Sequence, residues 1–229
     1  MKRLMSVFLL VVAACGGGDG GSSNLADGGA SLDSPSGSAD ASAAPGLTVE
    51  WVAAPAIPGP QQLSTMVNVT SAKFHLKKLE VIGDGGALPE TTQDEFDILW
   101  DSAHAPASIL FVTAPPAIYS KVRLSFDKGS SNAPSIEITG TVLVSGTTEM
   151  FRVTSVQKTD VEVTGYSVRL DLGESEGMPI IVGLDALLAD VNWMALPTPG
   201  GVRTLDDTST QAMDSFLDHL EYTFSGPLE

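Results

Sequence analysis

Over residues 118–127 apolar and polar side chains alternate one by one. Ile118, Ser120, Val122, Leu124 and Phe126 share one parity, and Tyr119, Lys121, Arg123, Ser125 and Asp127 the other. Successive side chains of a strand face opposite sides, so this stretch predicts a strand with one buried and one wet face. Pro115-Pro116 leads into it and Lys128-Gly129 closes it. Much of the chain beyond Gly46 keeps the same rhythm. Leu47, Val49 and Trp51 alternate, and so do Ile136, Ile138, Gly140, Val142 and Val144. Gly146-Thr147-Thr148 then reverses the chain into residues 150–156, so 135–156 reads as a hairpin. Short apolar runs at 96–100, 109–112, 161–163, 168–172 and 178–182 predict further strands. Residues 66–82 change phase twice. Val67 and Val69 have one parity, Phe74 and Leu76 the other, and Leu79 and Val81 the first again. A bulge or a corner is expected there. Residues 83–86 form a turn, and a polar loop is expected from there to Asp94.

The tail changes period. Asp185 suits the cap of a helical turn over 186–190 that ends near Trp193. Thr208-Ser209-Thr210-Gln211 matches a capping box, and Met213, Phe216, Leu217 and Leu220 then fall on one helical face. Asp214, Asp218 and Glu221 lie towards the other face, so a helix is expected over about 209–221. Eight or so short strands with helix only near the end predict a mainly β chain. The expected fold is a single antiparallel β-sandwich with a short C-terminal helix, with an open barrel as the alternative.

The first residues have a different character. Met1-Lys2-Arg3 is basic, and residues 4–14 are apolar except for Ser6. That run is too short for a permanent membrane span but suits an export signal. It ends at Val12-Ala13-Ala14-Cys15, and V-A-A-C resembles the lipobox of bacterial lipoproteins. The resemblance implies cleavage before Cys15, which then carries a diacylglyceryl group and an N-acyl chain. Gly16, in the place where an Asp retains such proteins at the inner membrane, implies the outer membrane. Several acyl chains, at about 0.8 kcal/mol per buried methylene, make a stable anchor.

Residues 16–46 hold nine Gly, seven Ser, six Ala and four Asp, with Leu25 and Leu32 the only large apolar side chains. Such a segment buries too little surface to offset the entropy of ordering. As a flexible tether it reaches on the order of 30 Å. The expected organisation is a signal peptide at 1–14, lipidated Cys15 with a disordered tether at 15–46, and a β-sandwich domain at 47–229. Gly16 to Gly21 also spells G-x-G-x-x-G, but no strand precedes it and no helix follows, so it carries no dinucleotide reading.

Charge and cysteine count narrow the function classes. The chain carries a formal charge of −16, from 12 basic and 28 acidic residues. Loss of Lys2 and Arg3 with the signal leaves ten basic residues and a charge of −18. Phosphate backbones repel such a chain, so no nucleic-acid partner is expected. Cys15 is the single cysteine, so no internal disulfide can form and no thiol is left for catalysis once it is acylated.

From residue 66 to 172 the motifs V-N-V-T-S-A-K-F-H-L, F-D-I-L, A-P-P-A-I-Y-S-K-V-R-L-S-F-D and I-E-I-T-G-T-V-L-V-S-G follow in order. This arrangement resembles bacterial lipoprotein domains of unknown function with a transthyretin-like (prealbumin-like), Ig-type β-sandwich. The D-A-L-L-A-D-V-N-W stretch and terminal helix resemble an elaboration of myxobacterial-type lipoproteins. The resemblance brings no catalytic residues.

Three chemistries have candidate residues in the chain. Asp94, Glu95, Asp97, Asp101 and His104 crowd into eleven positions, and Asp97, Asp101 and His104 make a ligand set for a divalent ion. No H-E-x-x-H and no calcium-loop motif accompanies them, so a solvated acidic face is the plainer account. A serine hydrolase needs His75, His104 or His219 as base, yet no G-x-S-x-G is present. His75 falls among Lys73, Lys77 and Lys78, and His219 sits beside Asp218; both read as surface or structural histidines. Glycosidase chemistry turns on a carboxylate separation that a sequence does not supply. Trp51, Trp100 and Trp193 lie in apolar contexts and are expected in the core. The expectation is a non-enzymatic, lipid-anchored envelope protein without cofactor, presenting a binding or structural surface to a protein or glycan ligand. The alternative is a metal-binding protein or metal-dependent hydrolase built on Asp97, Asp101 and His104.

Overall fold

The computed structural model describes residues 45–54, 61–62 and 67–227. The signal peptide, Cys15 and residues 16–44 of the tether lie outside the described residues. Along the chain come β1 (Gly46–Ala54), β2 (Gln61–Gln62), β3 (Val67–Gly83), β4 (Gly86–Trp100), β5 (Ile109–Phe111) and β6 (Ala117–Phe126). Then follow β7 (Ile136–Val144), β8 (Thr147–Ser155), β9 (Thr159–Val163), β10 (Val168–Leu170) and β11 (Ser175–Gly183). The last part holds α1 (Leu184–Leu188), β12 (Val202–Leu205), α2 (Thr210–Asp218), α3 (Leu220–Thr223) and β13 (Phe224–Ser225).

The strands form two sheets packed as a β-sandwich. The smaller has the order β13-β11-β1-β5. The larger is built on β3. One edge of β3 bonds β7 through residues 67–74 and then β6 through 76–83, while its other edge bonds β2 and β4. β8 and β12 extend the sheet beyond β7, and β9 and β10 extend it beyond β6. The pairings are antiparallel except β1 with β11 and β8 with β12, which are parallel.

The phase changes in β3 are two bulges. Register slips by one residue between Val69 and Ser71 against β7, and again between Leu76 and Lys78 against β6. An extra residue turns the following side chains to the opposite face. Val67 and Val69, then Ala72, Phe74 and Leu76, then Leu79 and Val81 are therefore all buried in one core. Phe74, between the bulges, meets Trp100 of β4 at 6.4 Å, Phe126 of β6 at 6.2 Å and Phe224 of β13 at 5.4 Å, all edge-on. Phe224 belongs to the smaller sheet, so this cluster joins the two layers. Edge-to-face pairs of this kind add about 0.5–1.5 kcal/mol beyond burial.

Several expectations are corrected. The alternation over 118–127 does not hold along its whole length. Tyr119 is buried and Ile118 exposed, whereas Val122, Leu124 and Phe126 are buried. The register against β3 skips Ser120, which absorbs the parity change. Tyr119 can turn inward because its hydroxyl donates to the Pro115 carbonyl at 2.7 Å. The polar stretch before Asp94 is strand, not loop: β4 begins at Gly86. Thr91 is fully buried there, and its hydroxyl donates to the Val81 carbonyl at 2.8 Å across a register break. Pro89 and Glu90 suit a strand paired on a single edge. The reversal after β7 is Ser145-Gly146, with φ of 50° and 81°, which matches a two-residue type I′ turn.

The predicted helix is present but divides at His219 into α2 and α3, with Met213, Phe216, Leu217 and Leu220 buried as the period required. The capping box does not form. Thr208 donates its hydroxyl to Asp206, and Ser209, the capping residue of α2, makes no side-chain cap bond. Asp185 lies inside the first turn of α1, which Gly183 precedes. Trp100 and Trp193 are buried, and Trp51 is partly buried against the core.

Gly140 shows how closely the sheet is assembled. A Cβ there would stand 2.1 Å from the Asn68 carbonyl oxygen and 2.7 Å from the Phe151 ring. Phe151 pairs with Gly140 across β7 and β8 and packs on Trp193 at 4.6 Å. Gly140→Ala is expected to cost about 1–3 kcal/mol by overpacking. Urea unfolding of the variant checks this, and an unchanged midpoint contradicts the close approach.

Candidate functional site

The acidic group around β4 resolves into two separate pairs. Asp97 stands opposite His75 in the β3–β4 register. Its Oδ1 lies 2.7 Å from His75 Nδ1, and its Oδ2 lies 2.8 Å from Lys73 Nζ. Burial raises the Asp97 carboxyl, but the hydrogen bonds from Lys73 and His75 outweigh it and the net shift is downward. Asp101 belongs to the turn after β4. It accepts the backbone N–H groups of Ala103 at 2.7 Å and His104 at 2.8 Å, and its Oδ1 is 2.8 Å from His104 Nδ1. Those bonds, the Ala103 amide first, hold its carboxyl below the usual range. Asp97, Asp101 and His104 are thus not brought together. Among the described residues no three His, Cys, Asp or Glu side chains gather as a metal site. Both carboxylates already have their partners: one closes a cross-strand ion pair and the other a tight turn.

A different part of the chain forms a cleft. The segment after α1 and the first turns of α2 enclose about 610 Å³. One wall is the stretch from Leu187 through Asp190 to Pro197; the other runs from Thr208 through Ala212 to His219. Each wall is fastened to the larger sheet on its own. Trp193 packs on Phe151, and Arg203 Nη1 donates to the Trp193 carbonyl at 2.6 Å. Arg203 also pairs with Glu149. Its Nε is 2.7 Å from Glu149 Oε2 but aimed off the oxygen, so the contact there is ionic, while Nη2 donates to Oε1 at 3.2 Å. The Thr204 amide donates to the Pro197 carbonyl at 2.9 Å.

At the foot of the other wall, Asp207 accepts the Ser155 hydroxyl and the Val156 amide, both at 2.8 Å. It also accepts the Gln157 side-chain amide at 3.1 Å. Asp206 accepts the Thr208 amide and hydroxyl. The buried side chains Leu187, Leu188, Met213 and Phe216 tie both walls to the core.

His219 clasps the two walls. Its Nδ1–H donates to the Ser215 carbonyl at 2.6 Å, and its Nε2 lies 2.9 Å from Asp190 Oδ2. Both ring nitrogens are thus engaged, and among the described residues no hydroxyl bonds to either, so the His219–Asp190 pair orients a wall. Its neighbour in the sequence, Asp218, is not its partner. Asp190 is, from 29 positions upstream, and no local signal marks a pair of that separation. The cleft is preformed, of mixed polarity and within the range of small-molecule sites.

Asp97→Asn keeps the side chain's shape and removes its charge. A folded-state pKa below the unfolded value contributes stability above about pH 4 that fades as pH falls through the folded pKa. With 40 % of the side chain exposed, that contribution is about 0.5–1 kcal/mol. Urea unfolding should show the variant weaker by this amount at pH 7, with the gap narrowing at pH 3. An equal gap at both values contradicts the ion-pair account. For the clasp, Asp190→Ala should raise amide hydrogen exchange in residues 190–197 and in α2 while the strands stay unchanged. Unchanged exchange in both walls refutes the clasp.

Compared with known proteins, no family model, no curated protein and no solved structure matches this chain.

Proposed function

We propose that this protein is a lipid-anchored envelope protein whose β-sandwich presents a small-molecule binding cleft, without catalysis of its own. Cys15 is the anchoring residue, residues 16–46 are the tether, and Gly16 favours the outer membrane. The resemblance of its motifs to tethered prealbumin-like lipoprotein domains is the ground for ranking the domain with them.

The observation that carries the binding reading is the cleft. Its two walls are independently pinned to the sheet and clasped by His219 and Asp190, so the concavity stands ready and does not have to be organised by a ligand. The metal alternative loses its support, because Asp97 is held by Lys73 and His75 while Asp101 and His104 hold each other.

The anchor is tested in a Gram-negative host given radiolabelled palmitate. The wild-type chain should take up label and sediment with membranes, and Cys15→Ser should take up none and appear in the soluble fraction. A wild-type protein that stays unlabelled removes the anchor from this reading.

A further inference from the structure

We infer that the cleft between residues 187–197 and α2 takes an uncharged, amphipathic small molecule. This rests on reading the cleft as the binding site and goes beyond it by assigning the ligand's chemistry. Charge decides the matter first. Among the described residues Asp190 and His219 are the only ionisable side chains that line the cleft, and they stand 2.9 Å apart. An anion would find no lysine or arginine there among the described residues, and His219 already faces the Asp190 carboxylate. The chain as a whole, at −16, also repels anions from a distance. A cation would have to compete with His219 for the Asp190 carboxylate. Neither sign of charge thus meets an unpaired partner among the described lining residues, so an uncharged ligand is favoured.

The remaining lining is divided in kind. Val191, Ala195, Pro197 and Ala212 supply accessible apolar surface over the buried Leu187, Leu196 and Phe216, while Asn192, Gln211, Thr208 and Ser209 supply neutral donors and acceptors. Amides and hydroxyls both give and accept hydrogen bonds, which matches a ligand with a few uncharged polar groups on an apolar body. No Trp or Tyr lines the cleft, so the flat aromatic platform on which a sugar ring stacks is lacking among the described residues. A volume of about 610 Å³ admits a molecule of that kind at drug-like size.

The test uses the full 229-residue chain carrying Cys15→Ser, purified without detergent. The neutral probe is 1-N-phenylnaphthylamine, and its anionic counterpart is 8-anilinonaphthalene-1-sulfonate. Ala212 is exposed and lines the cleft, so Ala212→Trp fills the space without entering the core. Ser215→Trp does the same from the next turn and retains the carbonyl that His219 uses. Circular dichroism and thermal unfolding confirm that each variant is folded.

The neutral probe should bind saturably, with the anionic one about tenfold weaker or more. Either tryptophan variant should weaken the neutral probe about tenfold, and the difference between the two chains reports the cleft alone. If the anionic probe binds more tightly and is lost in the variants, the ligand class is overturned while the cleft remains a binding site. If neither probe binds saturably, or if both folded variants bind as well as the parent, the cleft reading itself falls.

Discussion

Everything in this domain hangs on how β3 bends. A flat strand of 17 residues would put half of its apolar side chains into water, because their parity changes twice along it. Two bulges, one after Val69 and one after Leu76, correct the phase each time. They also let one edge of β3 serve two partners end to end, β7 and then β6. Phe74 sits between the bulges and gathers Trp100, Phe126 and Phe224 around it. Without the phase correction this ring would not face the core, and the smaller sheet would lose an aromatic hold on the larger.

The cleft depends on the same sheet at one remove. β8 pairs with β7, which pairs with β3, and β8 in turn carries β12. From this end of the sheet, Phe151, Arg203, Ser155 and the backbone of Val156 reach out to fasten both walls. The walls therefore inherit the rigidity of the sheet and need no ligand to hold them apart. Among the described residues that line it, His219 has both nitrogens engaged and Asp190 is its partner.

Charge is distributed unevenly. Lys73, Lys77, Lys78, Lys121 and Arg123, five of the ten basic residues beyond Cys15, stand on β3 and β6. Each is paired. Lys77 meets Glu95 of β4, and Lys78 meets Glu80, which Arg123 also approaches. Lys121 meets Glu162 of β9 at 3.0 Å and, as the leading cause, draws that carboxyl downward. Exposed pairs of this type contribute little to stability, so their main effect is to balance charge on this part of the sheet. The excess acid is left to other parts of the chain, which favours solubility and discourages contact with anionic surfaces.

How much of this was legible beforehand follows from the range of the interactions. Parity along a strand and the helical spacing of Met213, Phe216, Leu217 and Leu220 are local, so they disclosed the mainly β fold, the phase changes of β3 and the C-terminal helix. The first half of β4 was hidden because an edge strand needs no apolar alternation, and Tyr119 because a carbonyl four residues back can satisfy a buried phenol. The division of Asp97 from Asp101 and His104 was likewise out of reach, since His75 and Lys73 come from a neighbouring strand. His219 and Asp190 meet only because two segments dock on one sheet. By itself the sequence determined which residues seek the core and which carry charge. Tertiary structure alone decided which charges neutralise one another and where a cleft is left open, because those depend on register and docking between segments far apart in the chain.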